Sequence, residues 1–300
     1  MLGLSLSAAS AEPAIEPLPV REIAEGVFVY QAPYALAAPV NDGAIANIGF
    51  VVGHEAVAVI DTGGSFRAGA RLKAAIRART PLPIRYVINT HMHPDHVLGN
   101  AAFRDEGSDF VAHHKLAPAL AARADTYLAA AHRLIGEEAF AGTAVVLPQT
   151  PVAAKLVLDL GDRTLELEAH PTAHTDNDLT VLDTRTGTWF LGDLLFVGHV
   201  PALDGSLRGW LELMREARER PAARVVPGHG PTSAPWPQAL EPQERYLSRL
   251  RADVRRLLDE GRTMGEAAAR AGLAERDAWD LFEEFNARNA TAAYHELEWE

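Results

Sequence analysis

The sequence predicts an α/β protein, and three observations carry that expectation. Short β-branched runs and a helix-forming segment follow one another in the order strand, helix, strand. Polar residues gather where one of those strands stops, the position at which α/β folds place their chemistry. Hydrophobic residues at 48% against 23% charged residues are enough to build a core, and 300 residues suit one large domain with a modest extension.

Val27 to Tyr30, Ile45 to Val52 and Ala56 to Ile60 read as strands separated by turn residues such as Gly53-His54. The third stops at Asp61-Thr62-Gly63-Gly64, and Arg67 to Arg79 then reads as a helix with Leu72, Ala75 and Ile76 on one face. Pro81 and Pro83 end it, and the strand Ile84 to Asn89 runs into Thr90-His91-Met92-His93-Pro94-Asp95-His96. A short helix near Leu98 to Phe103, a strand at Asp109 to Ala112 and an Ala-rich helix from Lys115 to Ile135 follow. Leu156 to Leu158, Thr164 to Glu168, Leu179 to Leu182 and Thr188 to Leu191 are strands again, with Gly161-Asp162 and Thr186-Gly187 as turns. Ser206 is placed to cap a helix from Leu207 to Arg220, and a strand at Arg224 to Val226 ends in Pro227-Gly228-His229-Gly230. The Pro-rich stretch Pro231 to Pro242 marks a boundary; beyond it a helical stripe from Tyr246 to Leu258 and a helix over Ala267 to Asn289 are predicted.

Lys and Arg number 28 against 40 Asp and Glu, a net charge of −12, which argues against nonspecific nucleic-acid or anionic-membrane binding. Cysteine is absent, so any metal must be held by His and carboxylates. No apolar run approaches the roughly 18 residues of a membrane span, and no membrane insertion is expected. Met1 to Ala11 is small and apolar and ends in Ala9-Ser10-Ala11, like a signal-peptidase site. Residues 1–19 are therefore read as a signal remnant or flexible tail, with the periplasm the expected location and the cytoplasm the alternative.

His91, His93, Asp95 and His96 place four potential metal ligands on one loop at a strand end. Imidazoles at i and i+2 can turn toward one ion where Pro94 bends the backbone, while Asp95 and His96 are out of phase and suit a second ion. A core would not tolerate so many polar rings and a surface has no reason to cluster them.

This segment resembles the His-x-His-x-Asp-His signature of the metallo-β-lactamase fold superfamily. Asp61-Thr62-Gly63, Thr172-Ala173-His174-Thr175, Leu191-Gly192-Asp193-Leu194-Leu195-Phe196 and Pro227-Gly228-His229-Gly230 supply the other signature positions in order. The resemblance implies a four-layered αββα sandwich over residues 20–235, with residues 236–300 as a C-terminal helical extension packed on it. It assigns His91, His93 and His174 to one metal, Asp95, His96 and His229 to a second, Asp193 as the bridge, and Asp61 as the carboxylate that orients a ligand imidazole. It implies two zinc ions, with iron or manganese as alternatives, and hydrolysis of a small ester, thioester or lactam by a bridging hydroxide that Asp95 helps to orient and deprotonate. The absent cysteine separates the chain from many class B β-lactamases, and His93 stands where flavo-diiron oxidoreductases carry Glu. Metal affinity is expected to fall as protons compete below the histidine reference pKa of about 6.5.

A closer resemblance rests on Ala46-Asn47-Ile48-Gly49-Phe50, His174 to Val181, Asp204 to Trp210 and Asn289 to Glu300, which look like the quinoprotein relay system zinc metallohydrolases. It implies export and a link to pyrroloquinoline-quinone-dependent alcohol oxidation, in the branch that includes a sulfur-oxidation accessory metallohydrolase. The alternatives are an accessory protein of a quinoprotein dehydrogenase system and a mononuclear-iron enzyme like the persulfide dioxygenases. His199, Asp204 and Arg208 follow the Asp193 motif and are candidates for touching the small-molecule substrate. His113 and His114 are read as a surface pair, His132 as a surface residue, His54, His170 and His295 as incidental, and Trp210 as core.

Overall fold

The computed structural model describes residues 15–299. The leader motif at Ala9-Ser10-Ala11 lies outside the described residues. Seven strands form the first sheet in sequence order: β1 (Val20–Ala24), β2 (Val27–Tyr30), β3 (Ile48–Val52), β4 (Val57–Ile60), β5 (Ile84–Asn89), β6 (Asp109–His113) and β7 (Thr150–Val152). The pairings from β1 to β4 are antiparallel and those from β4 to β7 parallel. The second sheet holds β8 (Lys155–Asp159), β9 (Thr164–Ala169), β10 (Leu179–Asp183), β11 (Thr188–Phe196) and β12 (Arg224–His229), ordered β12-β11-β10-β9-β8 and parallel only between β11 and β12.

Alternation of side chains gives each sheet two faces, and here both are covered. Val29, Val51, Ile60 and Ile88 of the first sheet meet Leu165, Leu167, Val181 and Phe190 of the second. On the outer face of the first sheet, Phe50, Val59 and Val87 pack on Leu72 and Ile76 of α1 (Phe66–Arg77). The outer face of the second sheet buries Trp189 and Leu195 against Trp210 and Met214 of α4 (Leu207–Ala217) and against α5 (Leu240–Asp259). The result is the αββα sandwich that the sequence implied. Ser206 caps α4 by accepting from Gly209 N, and Trp210 is fully buried, as expected.

Several elements depart from the sequence reading. β1 and β7 are additional, short edge strands with little apolar pattern of their own. The third strand starts at Ile48 rather than Ile45, because Asn47 leaves the sheet to bond the backbone around His229. β11 continues past Leu191 to Phe196, with shifted register beside β12. The single helix expected over Ala267 to Asn289 is α6 (Met264–Arg270) and α7 (Phe282–Leu297), interrupted where Gly272 and Leu281 take positive φ. α3 (Leu116–Phe140) runs beyond Ile135 and kinks at Gly136. No helix among the described residues is long and apolar enough to cross a membrane.

The helical extension shares the outer core of the second sheet, with Leu250, Val254 and Leu257 of α5 and Ala290 and Ala293 of α7 in one cluster with Trp189 and Leu195. Replacing Leu250, which is fully buried, by Ala should therefore cost about 2–5 kcal/mol in urea denaturation. The loss is expected in a single transition shared with the sandwich; a separate early transition that alone moves would show the extension folding independently.

Candidate metal centre

Strand ends and one strand interior converge to build the site. His91 and His93 follow β5, Asp95 and His96 lie in the one-turn helix α2 (Pro94–Val97), His174 sits between β9 and β10, Asp193 lies within β11, and His229 ends β12. Asp193 can point inward because β11 and β12 lose register after Phe190, so that Gly192 faces Pro227 and Phe196 faces His229. Two glycines make room. Gly192 has φ +52, and a Cβ there would stand 2.6 Å from Thr90 Oγ1; at Gly228 it would stand 1.9 Å from Asp193 Oδ1.

The side chains gather in two groups, His91, His93, His174 and Asp193 in one and Asp95, His96 and His229 in the other, each with its ligand atoms within 4.8 Å of one another. Asp193 reaches both groups. Its Oδ2 is 3.6 Å from His91 Nε2, 3.4 Å from His174 Nε2 and 3.5 Å from His229 Nε2, and its Oδ1 is 3.2 Å from His96 Nε2. Asp95 Oδ2 is 3.4 Å from His229 Nε2 and 3.7 Å from His96 Nε2. Donors bound tetrahedrally at about 2.1 Å from one ion stand about 3.4 Å apart, which is the spacing found. His91 Nε2, His96 Nε2 and Asp193 Oδ1 are buried yet make no hydrogen bond, a costly state that a shared cation relieves. The donor set therefore fits metal binding.

Hydrogen bonds behind the rings select the tautomers. His96 Nδ1 donates to Asp61 Oδ2 at 2.8 Å, and His174 Nδ1 donates to the Ala202 carbonyl at 2.6 Å. Thr90 Oγ1 donates to Asp61 Oδ2 at 2.7 Å and so accepts from His91 Nδ1 at 3.1 Å. Each of these leaves Nε2 as the free lone pair. His93 is reversed: Nε2 donates to Asp204 Oδ2 at 3.0 Å, and Nδ1 faces His174 Nε2 at 3.0 Å.

Electrostatics separate the imidazoles when no metal is bound. Burial, reinforced by neighbouring imidazoles, holds His91 well below the usual histidine range; burial also takes His174 down to about 3. Burial also opposes the charge on His96 and His229, but Asp193 and Asp95, joined at His96 by Asp61, overcome it; His96 is held well above its ordinary value and His229 rises to about 9. The same pairing outweighs burial at Asp95 and Asp193 and holds both well below the usual carboxylate range.

The structure brings all seven expected ligands together and places Asp61 behind His96. Among the substrate candidates, His199 is buried, with its ring 4.9 Å from that of His229 and its Nδ1 on the Val200 carbonyl. Asp204 is engaged with His93, and Arg208 is exposed on the first turn of α4, its backbone N–H donating to Glu296. His113 corrects the surface expectation: β6 carries it inward to 3% exposure, where Nδ1 accepts from Lys115 N and burial lowers its pKa to about 4. Its neighbour His114 is exposed, as are His54, His132 and His295. Sequence reading missed Thr90 and the Ala202 carbonyl; the first adjoins the His motif, but the second is a backbone group with no signal in residue type.

A model of the Metallo-beta-lactamase superfamily matches residues 41–229. No curated protein matches the chain. Among solved structures, TMB-1, described in terms of residues affecting substrate and inhibitor binding, aligns with TM-score 0.60 at 20% identity, over 78% of this chain and 98% of that one. A metallo-beta-lactamase from Pontibacter korlensis aligns with TM-score 0.56 at 22% identity, over 77% of this chain and 95% of that one. A double mutant of the sec-alkyl sulfatase PisA1 aligns with TM-score 0.70 at 15% identity, over 94% of this chain but 50% of that one. At these identities the likenesses establish the fold.

Two expectations follow from the centre. Loading it must displace the protons that His96 and His229 hold, so apparent metal affinity should weaken as pH falls from about 9, well above the histidine reference value. Calorimetric zinc titrations at pH 7 in buffers of different ionisation enthalpy should read release of about two protons, and no release would contradict the pairing. Gly228→Ala should displace the Asp193 carboxylate and lower metal content by elemental analysis while leaving the circular dichroism of the sandwich intact.

Proposed function

Because the chain belongs to the metallo-beta-lactamase superfamily, we propose that it is a metal-dependent hydrolase acting on a small ester, thioester or lactam with two zinc ions. The observation that carries this reading is the division of seven His and Asp donors into two adjoining groups joined by Asp193. That arrangement favours two ions over a mononuclear iron centre, and an all-nitrogen and oxygen donor set suits zinc. His91, His93 and His174 would hold one ion, Asp95, His96 and His229 the other, and Asp193 both. Bound divalent ions would supply a water ionised near neutral pH and a Lewis acid for the substrate carbonyl.

The chain's own groups do the rest. Asp61, Thr90, Ala202 and Asp204 fix the imidazoles from behind, so the donors need not reorganise during reaction. Asp95 is ionised and is the more open of the two carboxylates, with 18% of its side chain exposed against 4% for Asp193. It is placed to orient the attacking water and to take up its proton. The motif resemblance to quinoprotein relay metallohydrolases supports a role beside a quinoprotein dehydrogenase, and Ala9-Ser10-Ala11 supports export to the periplasm. Mass spectrometry of protein from the native host tests the export, since a mature N-terminus near Glu12 is expected.

A panel of chromogenic lactams, thioesters, aryl esters and phosphodiesters should reveal one class turned over and silenced by chelator. Silence across the panel with metal fully bound would transfer the reading to a non-catalytic accessory role. Asp61→Asn should weaken metal affinity by about 10- to 100-fold, because His96 loses its charged acceptor.

A further inference from the structure

Beside the metal centre lies a cavity of about 370 Å³ walled by α3 and α7, within the size range of small-molecule sites. His93 and Asp204 connect it to the donors, and Arg123, Tyr127, Phe285 and Arg288 line it. What sets the two guanidiniums apart is their place on the cavity that adjoins His93. Acidic residues exceed basic ones by 12, and many arginines are engaged, as Arg163 is with Asp183 and Arg245 with Glu275. Arg123 and Arg288 make no hydrogen bond or ion pair among the described residues. The one carboxylate lining the cavity, Asp204, already accepts from His93. Two guanidiniums against one carboxylate leave the cavity positive within an acidic protein.

We propose that the substrate of this hydrolase carries a carboxylate or comparable oxyanion that Arg123 and Arg288 hold, with its scissile carbonyl directed past His93 to the metal centre. The proposal rests on the hydrolase reading and adds the substrate class. A planar guanidinium matches an oxyanion through paired N–H donors, so two of them select charge and orientation together. Tyr127, whose hydroxyl burial pushes up to about 12, stays a neutral donor beside them, and Phe285 supplies an apolar surface for the connecting chain. In the reaction the water oxygen bonds to the carbonyl carbon and the acyl–oxygen bond breaks. The leaving oxygen takes up one proton, the new acid loses another to solvent, and the anchoring anion is unchanged.

The test compares 4-nitrophenyl butyrate with 4-nitrophenyl hemiglutarate, which adds one carboxylate, on the zinc-loaded enzyme and on Arg123→Gln, Arg288→Gln and the double variant. Wild type should show a KM about tenfold lower for the anionic ester, and the double variant should lose that preference while its rate on the neutral ester and its metal content stay unchanged. Calorimetry with glutaranilate, an anionic amide, and with uncharged N-phenylbutanamide supplies a readout independent of turnover. Glutaranilate binding that weakens with each Arg replacement and with added salt supports the anion site even if neither ester is hydrolysed, and the wider panel of lactams and thioesters then decides the hydrolase reading separately. Chelator-sensitive hydrolysis of both esters without charge preference, or glutaranilate binding equal in wild type and the double variant, overturns the anion site and leaves the hydrolase reading standing.

Discussion

The rest of the centre depends on the Asp61 carboxylate. It is 1% exposed, sits at the end of β4 with φ +55, and accepts from Thr90 N, Thr90 Oγ1 and His96 Nδ1. A carboxylate so deep in the protein is tolerated only with its lone pairs satisfied, and a non-glycine residue in the left-handed region is tolerated only where contacts hold it. The three bonds meet both demands and also join β4, the end of β5 and α2. Through Thr90 the network reaches His91 as well, so one buried charge fixes one imidazole in each ligand group.

A second constraint comes from the opposite side, where α7 holds the loop that carries Asp204. Asn289 donates to the Pro201 carbonyl and accepts from Leu203 N, and Glu296 accepts from Ser206 Oγ and Leu207 N at the start of α4. Ala202 lies between these anchors, and its carbonyl selects the His174 tautomer. The extension thus acts on the metal centre through backbone placement, although none of its described side chains belongs to either ligand group.

Legibility in the sequence followed the range of the interactions. The His91 to His96 cluster was readable because its spacing is local, and the remaining ligands were readable because short motifs carry them in order. The αββα layering needed the family resemblance, since alternating apolar strands alone do not say how two sheets pack. What stayed hidden was long-range or backbone-borne: Asp204 bonding His93 across 111 residues, the Ala202 carbonyl, and the inward turn of His113 at the end of β6. The structure moves the expected onset of proton competition upward for the same reason, because the reference histidine value takes no account of Asp95, Asp193 and Asp61 gathering around His96.

The two constraints divide the chain by task. Every ligand, together with Asp61 and Thr90, falls within residues 41–229, the stretch the family model matches, whereas Phe285, Arg288 and Asn289 beside the cavity come from α7, beyond it. The chemistry is held by buried charge pairs and strand ends that leave little freedom to vary, since a Cβ at Gly228 alone would collide with Asp193. On the α7 side of the cavity, Asn289 is tied to the loop around Ala202, whereas Phe285 and Arg288 belong to neither ligand group. A fold arranged in this way can keep one reaction centre and redirect it to a different substrate by altering the helix that faces it.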